Sequence, residues 1–354
     1  MAGNSFGSLL RLTTFGESHG NAIGGMLDGC PAGLAIDVGA IQQELDRRRP
    51  GSTSLGTARS EGDKVELLSG IFEGRTLGTP IGFIIRNSDA RSSDYDALKN
   101  VYRPGHADLT WEKKYGHRDH RGGGRSSARE TACRVVGGAI ARQLLSHHGL
   151  TIDAYVQQVG SVRVEADPRA LDLSLRWNDP VRCPDPPTSA LMAQLIEQVR
   201  GEGDSIGGMI RCVIKGCPIG LGEPVFDRLD ADLAKAMLSI NATKGFQIGE
   251  GFASASMRGY EHNDPIGKDA TSNRSGGLLG GISNGEEIHF EVAFKPPATI
   301  ARSQQTTDKE GNKVTLQAQG RHDPCVVPRA VPIVEAMACL VLADHLLRHR
   351  SSRI

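Results

Sequence analysis

Two short stretches of the chain share one pattern. Ile23-Gly24-Gly25-Met26 leads within a few residues to Gly-Cys-Pro-Ala-Gly-Leu at 29–34, and Ile206-Gly207-Gly208-Met209 leads to Gly-Cys-Pro-Ile-Gly-Leu at 216–221. Each copy reads as a strand, a Pro/Gly turn and then a helical periodicity. The first helix is expected over 37–49, where Pro50-Gly51 stops it; the second over 230–241, ending before Lys244-Gly245. The spacing argues for a duplicated chain, with halves of about 1–150 and 151–354 in a single domain.

Further apolar periodicity predicts helices over 128–145, 188–200 and 331–347, the first opened by a Ser127/Glu130 capping box. Strands are expected over 9–14, 64–68, 80–86, 152–164 and 208–214. Helices and strands come in mixed runs rather than strict alternation, which favours an α+β fold. Residues 303–319 are polar around Glu310-Gly311-Asn312 and read as a loop of the kind that closes over a site.

Composition narrows the function. Lys+Arg and Asp+Glu both number 41 in the 354 residues, so no basic excess points to nucleic acid. The seven cysteines are scattered with no CxxC pair, as expected for buried thiols in a reducing compartment. The N-terminal stretch is interrupted by Arg11 and Glu17, unlike a signal peptide. The most apolar window, 330–343, contains Glu335 and is too short to span a bilayer. These features point to a cytoplasmic protein without a membrane partner.

The chemistry concentrates between Arg103 and Arg134. In residues 117–131, HRDHRGGGRSSARET, three glycines deliver the chain to an expected helix start, with Arg118, Arg121, Arg125 and Arg129 around it. Unpaired N–H groups, a positive dipole end and planar guanidinium forks suit phosphate and carboxylate. Without an anion, so many like charges crowd for no gain; the plainer reading is a glycine loop with solvated arginines. RGGGR also has the look of an RNA-binding tract, but it occurs once and aromatic partners are few. His117 and His120 lack a third clear ligand, so no metal is expected. His106 follows a Pro-Gly turn, and Ser18-His19 stands between glycines, where close ligand approach and general-acid work are possible. Asp46-Arg47-Arg48-Arg49 ends a helix, where the dipole alone accounts for cations. A nucleotide-using transferase is disfavoured because no GxxxxGK[ST] is present.

The longer blocks FGESHG, DRRRPG, RPGHAD, GGGRSSARET, GDSIGG, SINATKG, GGLLGGISNG and GRHDPC followed by RAVPIVEAM occur in one order along the chain. With them the chain resembles the chorismate synthase family over essentially its whole length. The resemblance implies a β-α-β sandwich, with helices between two antiparallel sheets and pseudo-two-fold halves, and usually a homotetramer. It implies a carbon–oxygen lyase of the shikimate pathway, which makes chorismate by 1,4-anti elimination of phosphate from 5-enolpyruvylshikimate 3-phosphate and needs reduced FMN. By position, His19, His106 and Asp323 match its catalytic residues. Arg125, Ser126, Ser127, Asn241, Ala242, Gly280, Lys295, Pro296, Pro297, Ala298, Thr299 and Arg321 match flavin contacts. Arg48 matches a residue for substrate or NADP(H), and Ser18, Arg129 and Arg134 are expected on the substrate side. Many members carry a further arginine after the DRRRP cluster; here the chain reads Ser52-Thr53-Ser54-Leu55, with Arg59 nearby. NADPH as reductant is left open, with external reduction of the flavin preferred.

Overall fold

The structure is a computed structural model that describes residues 3–56, 62–87, 98–267, 271–317 and 323–352. The first half contributes β1 (Ser5–Phe6), β2 (Arg11–Phe15), β3 (Ala22–Asp28), α1 (Val38–Arg48), β4 (Val65–Leu67), a small hairpin of β5 (Ile71–Phe72) and β6 (Arg75–Thr76), and β7 (Ile81–Arg86). After α2 (Asp108–Tyr115) comes the long helix α3 (Thr131–His147). The second half contains β8 (Thr151–Val159), β9 (Val162–Arg163), α4 (Pro186–Gly201), β10 (Gly208–Lys215), α5 (Leu229–Leu238) and β11 (Thr243–Ile248). It continues through α6 (Gly259–His262), the hairpin β12 (Leu278–Leu279) with β13 (Ile282–Ser283), and β14 (Ile288–Phe294). The hairpin β15 (Gln304–Thr307) with β16 (Lys313–Leu316) and the helix α7 (Val327–His349) close it.

Two antiparallel five-stranded sheets result, ordered β1-β2-β3-β7-β4 and β11-β14-β10-β8-β9. Within them β2-β3-β7-β4 and β8-β10-β14-β11 are the same pattern. A helix follows the second strand in each half (α1, α5) and another follows the last (α3, α7). The repeated Gly-Cys-Pro turns sit at the same step, after β3 and β10. The fold is therefore the expected α+β sandwich, with helices between its sheets.

Local chemistry explains the element ends. Asp37 caps α1 by accepting from Ala40 N at 3.1 Å. Arg49, before Pro50, leaves helical geometry, as a residue preceding proline tends to. α3 and α7 run together through the centre. A Cβ on Gly138 would lie 2.4 Å from Ala336 Cα, so this glycine permits the close helix approach.

Four expectations need correction. The capping box does not form: Ser127 caps a short 3-10 turn over Ala128–Glu130, and the Glu130 carboxylate pairs with Arg134 at 2.8 Å. The strand expected over 152–164 breaks at Gly160, whose φ of 54° makes a turn between β8 and β9. The polar stretch from 303 is not an irregular loop; its alternating residues pair as β15–β16. α7 begins before residue 331 because Pro328 fits its first turn, and its 23 residues are long and apolar enough to cross a membrane. However, 94% of its most apolar window is buried inside the protein, as in a core helix apolar all round. Its Glu335 is satisfied there by Arg142 Nη2 at 2.6 Å, Arg176 Nη2 at 3.1 Å and Ala154 N at 2.7 Å.

Candidate functional site

The triple glycine delivers the chain to Ser127, which caps the short turn that leads into α3. Gly122, Gly123 and Gly124 all take positive φ (60°, 83° and 53°), a run that side-chain-bearing residues rarely adopt. The resulting loop threads between two histidines. A Cβ on Gly122 would lie 2.1 Å from His19 Cε1, and one on Gly123 3.1 Å from His106 Cε1. On its far side Ser18 Oγ lies 3.0 Å from His19 Nδ1 and donates to Gly122 O at 3.2 Å.

His106 is held from behind. Its Nδ1 is 2.9 Å from Asp108 Oδ1, and Arg103 grips the same carboxylate through Nε at 2.8 Å and Nη2 at 2.9 Å. Burial alone would raise the Asp108 pKa, yet the hydrogen bonds from Arg103 and His106 hold it well below the usual carboxylate range. His106 Nδ1 also lies 3.0 Å from Arg103 Nη2, so the carboxylate and the guanidinium together fix the orientation of the ring from its Nδ1 side.

Beside this histidine lies a cavity of about 400 Å³. Arg48, Arg103, Lys295 and Arg329 line it together with Ser126, Ser127, Asn241 and Thr299; Ala242, Phe294, Pro297, Ala298 and Ile333 supply apolar wall. Arg48 is pinned by Asp63, whose Oδ2 accepts from Nη1 at 3.2 Å, and by Ala128 O at 2.6 Å. The other oxygen of Asp63 pairs with Arg129 Nη1, and Asn87 Oδ1 accepts from Arg129 Nε at 3.0 Å. Asp323 pairs with Arg329 on the opposite side. Lys295 donates to Gly105 O at 3.3 Å; burial, and then Lys244, depress its proton affinity. Asn241 donates to Ser126 O at 3.0 Å while its buried Oδ1 has no partner. Ala242 adopts φ of +68°, a strained conformation for alanine of the kind found beside ligands.

Of the residues expected from the sequence, the cavity collects Arg48, His106, Ser126, Ser127, Asn241, Ala242, Lys295, Pro297, Ala298, Thr299 and Asp323. Pro296 accepts from Lys295 Nζ at its rim, Arg129 is reached through Asp63, and Ser18 and His19 back the glycine loop. Three are placed elsewhere. Arg125 donates to Asn4 and Thr14 and lines a different cavity, because the left-handed glycines turn the chain away. Arg134 spans from Glu130 to Ser239, tying α3 to the end of α5. Gly280 lies at the tip of the β12–β13 hairpin, outside the cavity lining. Arg321 and Arg59 fall outside the described residues. The supposed crowd of free arginines is also resolved: Arg118 pairs with Glu112 at 2.8 Å and Arg121 with Asp119 at 2.8 Å. Asp63 and Arg329 were not foreseen; Arg103 was marked only as one end of the basic stretch, with Asp108 in the same RPGHAD loop as the hint to its pairing.

Carboxylate-held arginines, an apolar wall and a supported histidine around one cavity are the makings of an enzyme site, on a sandwich whose two halves share one strand order. The sequence model of the family described as chorismate synthase matches residues 10–347. A chorismate synthase of Christiangramia forsetii is 59% identical over 100% of both chains, and one of Bacteroides fragilis 56% over 99% of both. A crystal structure of a chorismate synthase superposes with a TM-score of 0.78 at 34% identity, covering 97% of this chain and 93% of that one. The chain belongs to the chorismate synthase family.

Proposed function

We propose that this chain makes chorismate from 5-enolpyruvylshikimate 3-phosphate by 1,4-anti elimination of phosphate, with reduced FMN in the cavity beside His106. The single observation that carries this reading is the cavity, where cations, an apolar wall and a carboxylate-backed imidazole converge. The residues fit a flavin. The buried, unpartnered Asn241 Oδ1 is an acceptor in search of an N–H, and the Ala242–Pro297–Ala298 wall suits a flat ring. Ser126, Ser127, Lys295 and Thr299 would hold its polar edge and phosphate. Held by these residues, a reduced flavin would supply electron density toward the allylic C–O bond and an acceptor for the ring hydrogen.

The chain's own groups do the rest. Arg48, fixed by Asp63, binds an anionic group of the substrate, and Arg129 stands behind the same carboxylate. His19, oriented by Ser18, donates a proton to the leaving phosphate oxygen, a step worth roughly 10²- to 10⁴-fold. His106, its ring fixed at Nδ1 by Asp108 and Arg103, would with Nε2 protonated donate to negative charge developing in the cavity. Asp323, restrained by Arg329, would take up the proton that originates from the ring, which offsets the one His19 gives to the leaving phosphate. The protein acts as a cytoplasmic homotetramer and takes its flavin already reduced, with NADPH as an indirect source.

The test is an anaerobic assay with chemically reduced FMN and the phosphorylated substrate, following chorismate by absorbance. It is paired with titration of oxidised FMN with and without that substrate. Chorismate formation and a substrate-dependent flavin perturbation are expected. An unchanged flavin spectrum with no chorismate overturns the reading. Turnover with NADPH and oxidised FMN alone would overturn the external-reduction part.

A further inference from the structure

The hairpin β15–β16 runs between two residues of the cavity wall, Thr299 before it and Asp323 after it, yet none of residues 304–316 lines that wall. Its backbone is fastened instead to the segment that leads into the His106 loop. Tyr102 N donates to Thr307 O at 3.2 Å, Lys309 N to Asn100 O at 2.9 Å, and Val101 bridges Asp308.

From the hairpin turn a line of alternating charges reaches that histidine. Lys309 Nζ lies 2.6 Å from Glu112 Oε1, and Arg118 Nε donates to Glu112 Oε2 at 2.8 Å. Arg118 Nη1 then meets Asp108 Oδ1 at 3.4 Å, the same oxygen that stands 2.9 Å from His106 Nδ1. Local geometry builds the line. Asp108 and Glu112 are four residues apart on one face of α2. Gly116, with φ of 73°, ends that helix and turns the chain back, so that Arg118 spans both carboxylates. The Arg118 side chain is only 5% exposed, so the two anions compensate a buried cation.

Glu112 is therefore shared between two cations. Without Lys309 it draws Arg118 toward itself and away from the longer, weaker contact with Asp108. The carboxylate that orients His106 then loses one of its supports. The Lys309–Glu112 pair is itself partly exposed and adds little to stability. We infer that Lys309 is a positioning residue for His106, acting through Glu112, Arg118 and Asp108. Its effect on turnover rests on the function proposed above; its effect on the imidazole does not.

The experiment follows the His106 Cε1–H resonance by NMR in the full chain with isotope-labelled histidine and no flavin or substrate. The signal is assigned by its loss in His106→Gln. Lys309→Met should displace it, and Lys309→Arg, which keeps the cation, should return it toward the wild-type position. The backbone bonds that dock the hairpin survive both changes. In an Asp108→Asn background Lys309→Met should leave the signal in place, because changes along one chain of contacts are not additive. In the chorismate assay, Lys309→Met should lower kcat about three- to five-fold with KM nearly unchanged, the scale that one partly exposed ion pair transmits. A resonance unmoved by Lys309→Met, or displaced equally in both backgrounds, overturns the inference. The expected displacements in a chain that makes no chorismate uphold it and count against the proposed reaction instead.

Discussion

Gly122 packs on His19 so closely that a single added methyl would lie 2.1 Å from the imidazole Cε1 and 2.2 Å from Nδ1. The glycine therefore sets where the histidine can be. Gly122→Ala, strained as well by its φ of 60°, should lower turnover about 10²-fold, the scale of one displaced acid–base group. Circular dichroism should still report a folded chain. Wild-type turnover would show that His19 needs no fixed position.

Asp63 is a buried anion between two buried cations. Asp63→Asn removes the charge but keeps the shape, so Arg48 and Arg129 then repel each other across a neutral amide. Urea denaturation should show a loss of about 3 kcal/mol, the scale for breaking a buried pair. KM for the anionic substrate should rise more than kcat falls, because Arg48 loses its fixed direction. An unchanged KM would remove Asp63 from the site's support.

Asp108 links the site to acid stability. Its folded pKa is depressed, so it contributes stability that is complete above the usual carboxylate range and is lost as the pH falls below about 4. Asp108→Asn should therefore be destabilised at pH 7, with the difference from wild type shrinking in more acid solution. Denaturation midpoints across pH 2–7 check this. A constant difference would mean that the Arg103 clamp is not ionic.

His289, on β14, gives the opposite end of the scale. Burial and then Arg211 push its pKa down to about 4 from the usual 6.5. The unfolded chain binds a proton there that the folded one refuses, so this group's contribution to stability is lost as pH falls from about 6.5 to about 4. The slope is at most about 1.4 kcal/mol per pH unit. His289→Gln should flatten stability between pH 4 and 6.5; an unaltered slope would assign it to other groups.

Much of this was legible in one dimension. The repeated Ile-Gly-Gly-Met and Gly-Cys-Pro segments mark corresponding strands and turns, because hydrophobic periodicity and turn glycines act locally. α1 and α4 fell within two residues of expectation, since Asp37 and Asp185 cap them and apolar spacing carries them on. The local rules misled where a distant group competed. Glu130 could have closed a capping box, but Arg134, one turn on, takes its carboxylate. α7 carries Pro332 within it, where burial between the sheets outweighs one lost hydrogen bond.

By itself, the sequence determined the α+β class, the duplicated order of elements and a set of basic and histidine residues, because spacing and residue type encode these without reference to a partner far along the chain. Only the tertiary structure decided which cations face the cavity and which are consumed. Asp63 takes Arg48 and Arg129 from 15 and 66 positions away, Ser239 takes Arg134, and Thr14 takes Arg125. The pairing of a guanidinium is set by what folding brings within 3 Å of it, and no count of arginines along a chain carries that distance.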